Sequence, residues 1–171
     1  MVVGKAAIGS FNLGRTKIRL EGLNHYASVS ALLLNGALRI FTSTPKKLDE
    51  RKHENFMKIL FLISITATII LGGYNATVFS LLSLYSKTFL GMSMDDEYVQ
   101  FFHDTEPIRK TAFWSFVGTI LTFNISFVLS LYLQYEGSIR WWITGISSII
   151  IALCCQNWLL IMKYASHIFE N

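Results

Sequence analysis

"MKILFLISITATIILGGYNATVFSLLSLYS", residues 57–86, holds a single charge, Lys58, and Lys87 follows it directly. As an α-helix a run of this length extends about 45 Å, against a hydrocarbon core of about 30 Å. It therefore predicts a membrane span that tilts, kinks or protrudes. The pattern recurs in "TAFWSFVGTILTFNISFVLSLYLQY" (111–135), behind Arg109 and Lys110, and in "WWITGISSIIIALCCQNWLLIMKY" (141–164), behind Arg140. Tryptophans toward both ends of the third run, with Tyr132, Tyr135 and Tyr164, make the aromatic belt expected at headgroup level. The expected fold class is an all-α integral membrane protein: a helical bundle of three transmembrane helices at 57–86, 111–135 and 141–164, plus a fourth helix at 22–41 packed on or in the membrane.

Composition agrees. Apolar residues make up 52% of the 171 and charged residues 15%, where a soluble domain carries about 25% charge. The length fits one membrane domain, 1–171, with a basic N-terminal segment at 1–21. Cys154 and Cys155 are adjacent inside the third run. Neighbours on a helix point about 100° apart, so they set no disulfide framework. The opening "MVVGKAAIGS" lacks the apolar stretch of a cleavable signal peptide, and Gly4 is not placed for myristoylation, so neither is expected.

Ten Lys/Arg precede residue 59, against four acids. In front of a hydrophobic span such a stretch reads as juxtamembrane rather than nucleic-acid-binding. Arg15, Lys17, Arg19, Lys46, Lys47, Arg51 and Lys52 are the candidate lipid-headgroup contacts. Three spans place eleven basic residues with the N-terminus and the 136–140 turn, and four on the other side, whereas a fourth full span splits them almost evenly. The positive-inside rule then expects the N-terminus and that turn to be cytoplasmic and the 88–110 segment to face away.

The 22–41 stretch, "GLNHYASVSALLLNGALRIF", carries Asn24, His25 and Asn35, yet Tyr26, Val29, Leu33, Ala37 and Ile40 share one helical stripe. His25 reads as a packing histidine. In "GMSMDDEYVQFFHDTEP", Met94, Tyr98, Phe101 and Phe102 predict a short amphipathic helix at about 93–103, lying at the membrane surface. Pro107 suits the first turn of the following helix, with Asp104 or Thr105 as N-cap.

The candidate site is the polar interruption of the first run, Gly72-Gly73-Tyr74-Asn75. Asn75-Ala76-Thr77 fits a glycosylation acceptor but lies inside a span, out of the modifying enzyme's reach. Counted from the flanking lysines, Asn75 lies twelve residues in and Asn124 fourteen. Equal depth and the cost of unpaired amides in lipid predict that the two meet. Gly72, Gly73, Asn75, Asn124, Gln156 and Asn157 thus form a predicted helix-packing polar seam, with Gly73 letting another helix approach. Thr122 and Ser126 extend it toward a possible conduction track. Apart from Lys58 and Lys163 at their ends, no Asp, Glu, Lys, Arg or His occupies the interior of the three spans, which counts against proton relays and bis-imidazole haem. Asp95, Asp96, Glu97, Asp104 and Glu106, with His103, lack EF-hand spacing, and no nucleophile or phosphate-loop motif is present. No catalytic residue, cofactor or metal ligand is expected.

The stretches "GSFNLGRTKIRLEGLNHYASVSALLLNGALRIFTSTPK" and "VFSLLSLYSKTFLGMSMDDEYVQFF" resemble the maternal effect embryo arrest 60-like group of small plant membrane proteins. That resemblance implies a plant or algal, nuclear-encoded multi-pass protein, and it supplies no site residues. The expected function is a non-enzymatic accessory or interaction subunit in an endomembrane, plasma or organelle membrane, binding lipids and partner helices or itself. The alternatives are a small oligomeric channel or transporter along the Asn/Ser/Thr track, or a subunit of an organellar pigment or electron-transfer complex.

Overall fold

The computed structural model describes residues 13–44 and 52–169. Its order is α1 (Leu13–Ser43), α2 (Lys52–Gly91), α3 (Asp95–Asp104), α4 (Glu106–Gln134) and α5 (Gly137–Phe169), with no strand among the described residues. Three segments, Asn55–Gly91, Glu106–Gln134 and Gly137–Ile161, are long and apolar enough to cross a membrane. All three begin before the apolar runs do. Lysine, arginine and glutamate are good helix formers, so polar flanks extend a helix that hydropathy alone would end. Lys46, Lys47 and Arg51 lie outside the described residues. Arg15 and Lys52 fall on helical backbone, but their side chains lie outside the described ones.

The chain divides into two compact units, Met1–Gly36 with Ala67–Ile120, and Ala37–Thr66 with Leu121–Asn171. In the first, Phe79, Leu82, Ala112 and Phe116 make the apolar core, joined by Leu23, Tyr26 and Ala27 of α1. The Tyr26 ring stacks on Phe79 at 5.2 Å and meets Phe116 edge-on at 5.1 Å. Here α1 runs antiparallel to α2. Asn24 accepts a 2.6 Å hydrogen bond from the Ser83 hydroxyl, Tyr26 meets Phe79, and Ser30 and Leu34 lie opposite Gly72. The predicted stripe holds at Leu33 and Ala37, but Val29 is exposed and Ser30 takes the buried position. His25 is exposed as well, so it is not a packing residue.

This docking sets the start of α1 beside α3, at odds with the sidedness that three spans imply. Arg19, near the start of α1, lies over the Phe102 ring, and Thr16 hydrogen-bonds Tyr98. The described N-terminal residues therefore lie beside the 88–110 segment instead of away from it. The count of basic residues left the crossing of 22–41 undecided, and Asn24 finds its hydroxyl partner on α2.

Between α2 and α3 the turn bends through Ser93, whose φ of 56° is left-handed. Asp95, Asp96 and Glu97 occupy the first turn of α3, where carboxylates offset the helix dipole. The apolar face of α3 packs inward instead of lying free: Tyr98 is buried, and Phe101 lies 5.3 Å from Phe89 and 6.3 Å from Tyr85. Thr105 does not cap α4 forward. Its hydroxyl donates back to the Phe101 carbonyl at 2.8 Å, ending α3.

In the second unit Ala37, Phe61, Ile65 and Tyr132 are buried. The Gln134 amide reaches the Thr44 hydroxyl at 3.5 Å. Gly137, at φ 66°, turns the chain into α5, a conformation that costs glycine nothing. Arg140 fastens that turn, donating to the Tyr135 carbonyl at 2.7 Å and lying over Tyr132.

Burial is inverted relative to a soluble domain. Among the described residues nine hydrophobics are buried, against eleven polar ones that are almost all serine and threonine, while thirty large hydrophobics are exposed.

Candidate functional site

The buried polar group with the least ordinary surroundings is Asn75, at 0% exposure on α2 of the first unit. Its Nδ2–H donates to Thr119 Oγ1 of α4 at 3.0 Å, and that hydroxyl donates to the Ser115 carbonyl at 2.9 Å. The order of donors follows from this. Thr119 has spent its only proton on the carbonyl, so it accepts from the amide, and the NH₂ end must face it. Asn75 Oδ1 has no partner among the described residues, and neither do the buried hydroxyls of Ser30 and Ser115.

Asn75 therefore meets Thr119, not Asn124 as equal depth predicted. Depth does not choose between the two: counted from the helix ends at Gly91 and Glu106, Asn75 lies about 24 Å in, Thr119 about 20 Å and Asn124 about 27 Å. The five-residue step from Thr119 to Asn124 turns about 140° around α4, and it is the Thr119 face that meets Asn75.

Of the two glycines, Gly72 is the close-approach position. A Cβ built there lies 3.5 Å from Thr119 Cγ2, 3.7 Å from Leu34 Cβ and 3.8 Å from the Ser30 carbonyl oxygen. Gly73, the predicted contact, has nothing within 4 Å. The two directions differ by about 100° around the helix, and only the first faces α1 and α4. In the second unit Asn124 is partly buried and Gln156 and Asn157 are exposed on α5. Those last two do not belong to a buried track. The hydroxyls of Ser30, Ser115 and Thr119 are the seam members that the sequence reading missed. Their signal was present, since small hydroxyl residues are characteristic of membrane helix contacts.

A second polar cluster lies around α3. The Arg109 guanidinium sits 3.4 Å from the Phe102 ring centroid, and that of Arg19 sits 4.9 Å from it. Arg109 Nη1 donates to the Phe102 carbonyl and, at 3.0 Å, to Thr105 Oγ1. Lys17 and Arg19, two predicted headgroup contacts, are exposed there.

Burial pushes the Tyr98 phenol up, partly offset by the charges of Arg19 and Arg109 and the bond to Thr16. A phenol whose folded pKa is raised keeps its stabilising effect below the ordinary value of about 10 and loses it as pH climbs through the folded value. Unfolding midpoints should therefore fall on the alkaline side of about pH 10, and more steeply than in Tyr98→Phe. Equal alkaline slopes in the two proteins would contradict the buried phenol.

An all-helical chain with three helices long enough to cross a membrane, packed through serine and threonine seams, is the class these features define. No family model, curated protein or solved structure matches it.

Proposed function

We propose that this chain is a multi-pass integral membrane protein without catalytic chemistry, acting as an accessory or interaction subunit that binds lipids and partner helices. One observation carries this reading. The described residues bury serine and threonine and expose thirty large hydrophobics. In water such a surface aggregates, whereas in lipid it is the favoured arrangement, since close packing through small residues joins membrane helices. In the second unit, α5 buries nothing of its most apolar stretch, leaving its length to lipid or to another helix.

The channel reading has less to stand on. Asn75 is sealed at 0% exposure, and Gln156 and Asn157 point outward. Purification from native membranes in mild detergent tests the choice. A stable complex is expected, with no ion flux after reconstitution of the chain alone. Flux from the isolated chain overturns the subunit reading.

On this reading α1 is a fourth crossing, because its docked residues lie along α2 and its start lies beside α3. Glycosylation acceptors added at the N-terminus and at residue 93 should then be modified together or spared together, with one at residue 136 behaving oppositely. Modification of only one of the first pair would show that α1 does not cross.

A further inference from the structure

Arg19 and Arg109 share one aromatic ring, and among the described residues neither makes a salt bridge. Their guanidinium carbons lie 4.9 Å and 3.4 Å from the Phe102 centroid, so they are no farther apart than those two distances end to end. Glu106, three residues before Arg109, pairs with Lys110 at 2.6 Å while its charge also acts on Arg109, and Glu21, two residues after Arg19, is exposed. Asp104 faces His103 at 3.7 Å. Arg109 spends Nη1 on two neutral acceptors, the Phe102 carbonyl and the Thr105 hydroxyl, and its Nε and Nη2 donors make no hydrogen bond. Arg19 is exposed and makes none either.

Each guanidinium is attracted to the face of the ring, and an anion within reach of both would gain from two positive charges at once. Arg109, anchored through Nη1, leaves its remaining N–H groups in a planar fork, the geometry that suits two oxygens of a phosphate better than a point charge would. The surroundings distinguish what bears that phosphate. Ile18, next to Arg19 in sequence, is 70% exposed, and Ile108, next to Arg109, is 46% exposed. A soluble anion has no use for those side chains, whereas the acyl chains of a lipid do. Tyr98, which feels both arginine charges and is tied to Thr16, joins α3 to α1, so that both arginines stay at the same ring.

We propose that Arg19 and Arg109, arranged about Phe102, form a binding site for the phosphate of an anionic membrane lipid. The proposal rests on the membrane reading above and adds to it a specific site in place of general attraction by basic residues.

The full chain, reconstituted in vesicles of equal phosphatidylcholine and phosphatidic acid and then released in mild detergent, would be weighed intact by native mass spectrometry. Retention of phosphatidic acid over phosphatidylcholine is expected. It should fall about tenfold in Arg19→Gln and in Arg109→Gln, as expected for loss of a charge-assisted hydrogen-bonded contact. Lys87→Gln, which removes an exposed cation from the same unit, should retain the lipid as the parent does. Arg109→Lys keeps the charge without the planar fork and should recover little. Arg109 also ties down the end of α3, so Arg19→Gln, on an exposed side chain, carries the test if the Arg109 variants fail to fold. Unchanged retention in Arg19→Gln, or an equal loss in Lys87→Gln, overturns the site. Stabilisation by inorganic phosphate, with no preference between the two lipids, overturns the lipid as its source. Alkaline carbonate washing of the membranes separates the two levels: release of the chain refutes the membrane reading itself, whereas a chain that stays embedded and retains no phosphatidic acid refutes only the site.

Discussion

Leucine at position 72 is expected to destabilise the folded chain by about 1–3 kcal/mol, the cost of overpacking a closed contact. Leucine at position 73 is expected to be neutral or slightly stabilising. The neighbouring glycines face different surroundings. A Cβ at 72 already reaches Thr119, Leu34 and the Ser30 carbonyl at 3.5–3.8 Å, which is ordinary contact with no space beyond it. A leucine side chain must push α1 or α4 aside. At 73 nothing lies within 4 Å, and replacing a mid-helix glycine removes a propensity penalty of about 1 kcal/mol. Alanine at 72 separates size from backbone freedom: its methyl group fits the contact distances and it gains the same propensity, so it should be close to neutral. Unfolding each variant in detergent with increasing denaturant ranks them. Equal losses for the two leucines would mean that α2 is rotated from the orientation described. A large loss for alanine at 72 would mean that the contact there is tighter than its distances.

The contrast between those glycines marks how far the sequence could be read. Candidate membrane spans were legible because a long apolar run with few charges has few alternatives: α2 and α5 contain their predicted runs, α4 holds all of its run but Tyr135, and each helix begins before its run does. The helix at 22–41 and its packing were legible from its stripe, but the partners of its polar residues were not. Asn24, with His25 and Asn35, looked like a reason to keep α1 out of lipid. In the structure Asn24 is bonded to Ser83, and Ser30 occupies a fully buried position opposite Gly72. A polar residue in a membrane helix is costly only when unpartnered, and composition cannot show a partner on another helix. The need for a partner could be read at Asn75, but not its identity. Depth was counted from charged residues, which snorkel and do not mark where a helix ends. Nothing in the sequence distinguishes Thr119 from Asn124 at that precision. The arginine pair was missed for a related reason. Arg19 and Arg109 are ninety residues apart, and it is Phe102, read as part of an apolar face, that gathers them.

Thr119→Val should cost more than Asn75→Leu, although both break the same hydrogen bond. Valine keeps threonine's shape and strands the Asn75 NH₂ at 0% exposure beside an Oδ1 that already lacks a partner. An amide left wholly unsatisfied in a buried seam costs about 1–3 kcal/mol. Leucine at 75 resembles asparagine in its branched outline and removes both amide groups together, while Thr119 keeps its donation to the Ser115 carbonyl. No donor is stranded, and the remaining penalty is the fit of a slightly larger side chain. The double variant should therefore be more stable than the sum of the single losses implies, with a coupling of about 0.6–2 kcal/mol, the range of hydrogen bonds between membrane helices. Denaturant titrations of the parent, the two single variants and the double variant measure this coupling directly. Losses that simply add would show that amide and hydroxyl do not meet. A greater loss for Asn75→Leu than for Thr119→Val would show that the amide serves a partner other than Thr119, and the seam would then be a binding site instead of a packing contact.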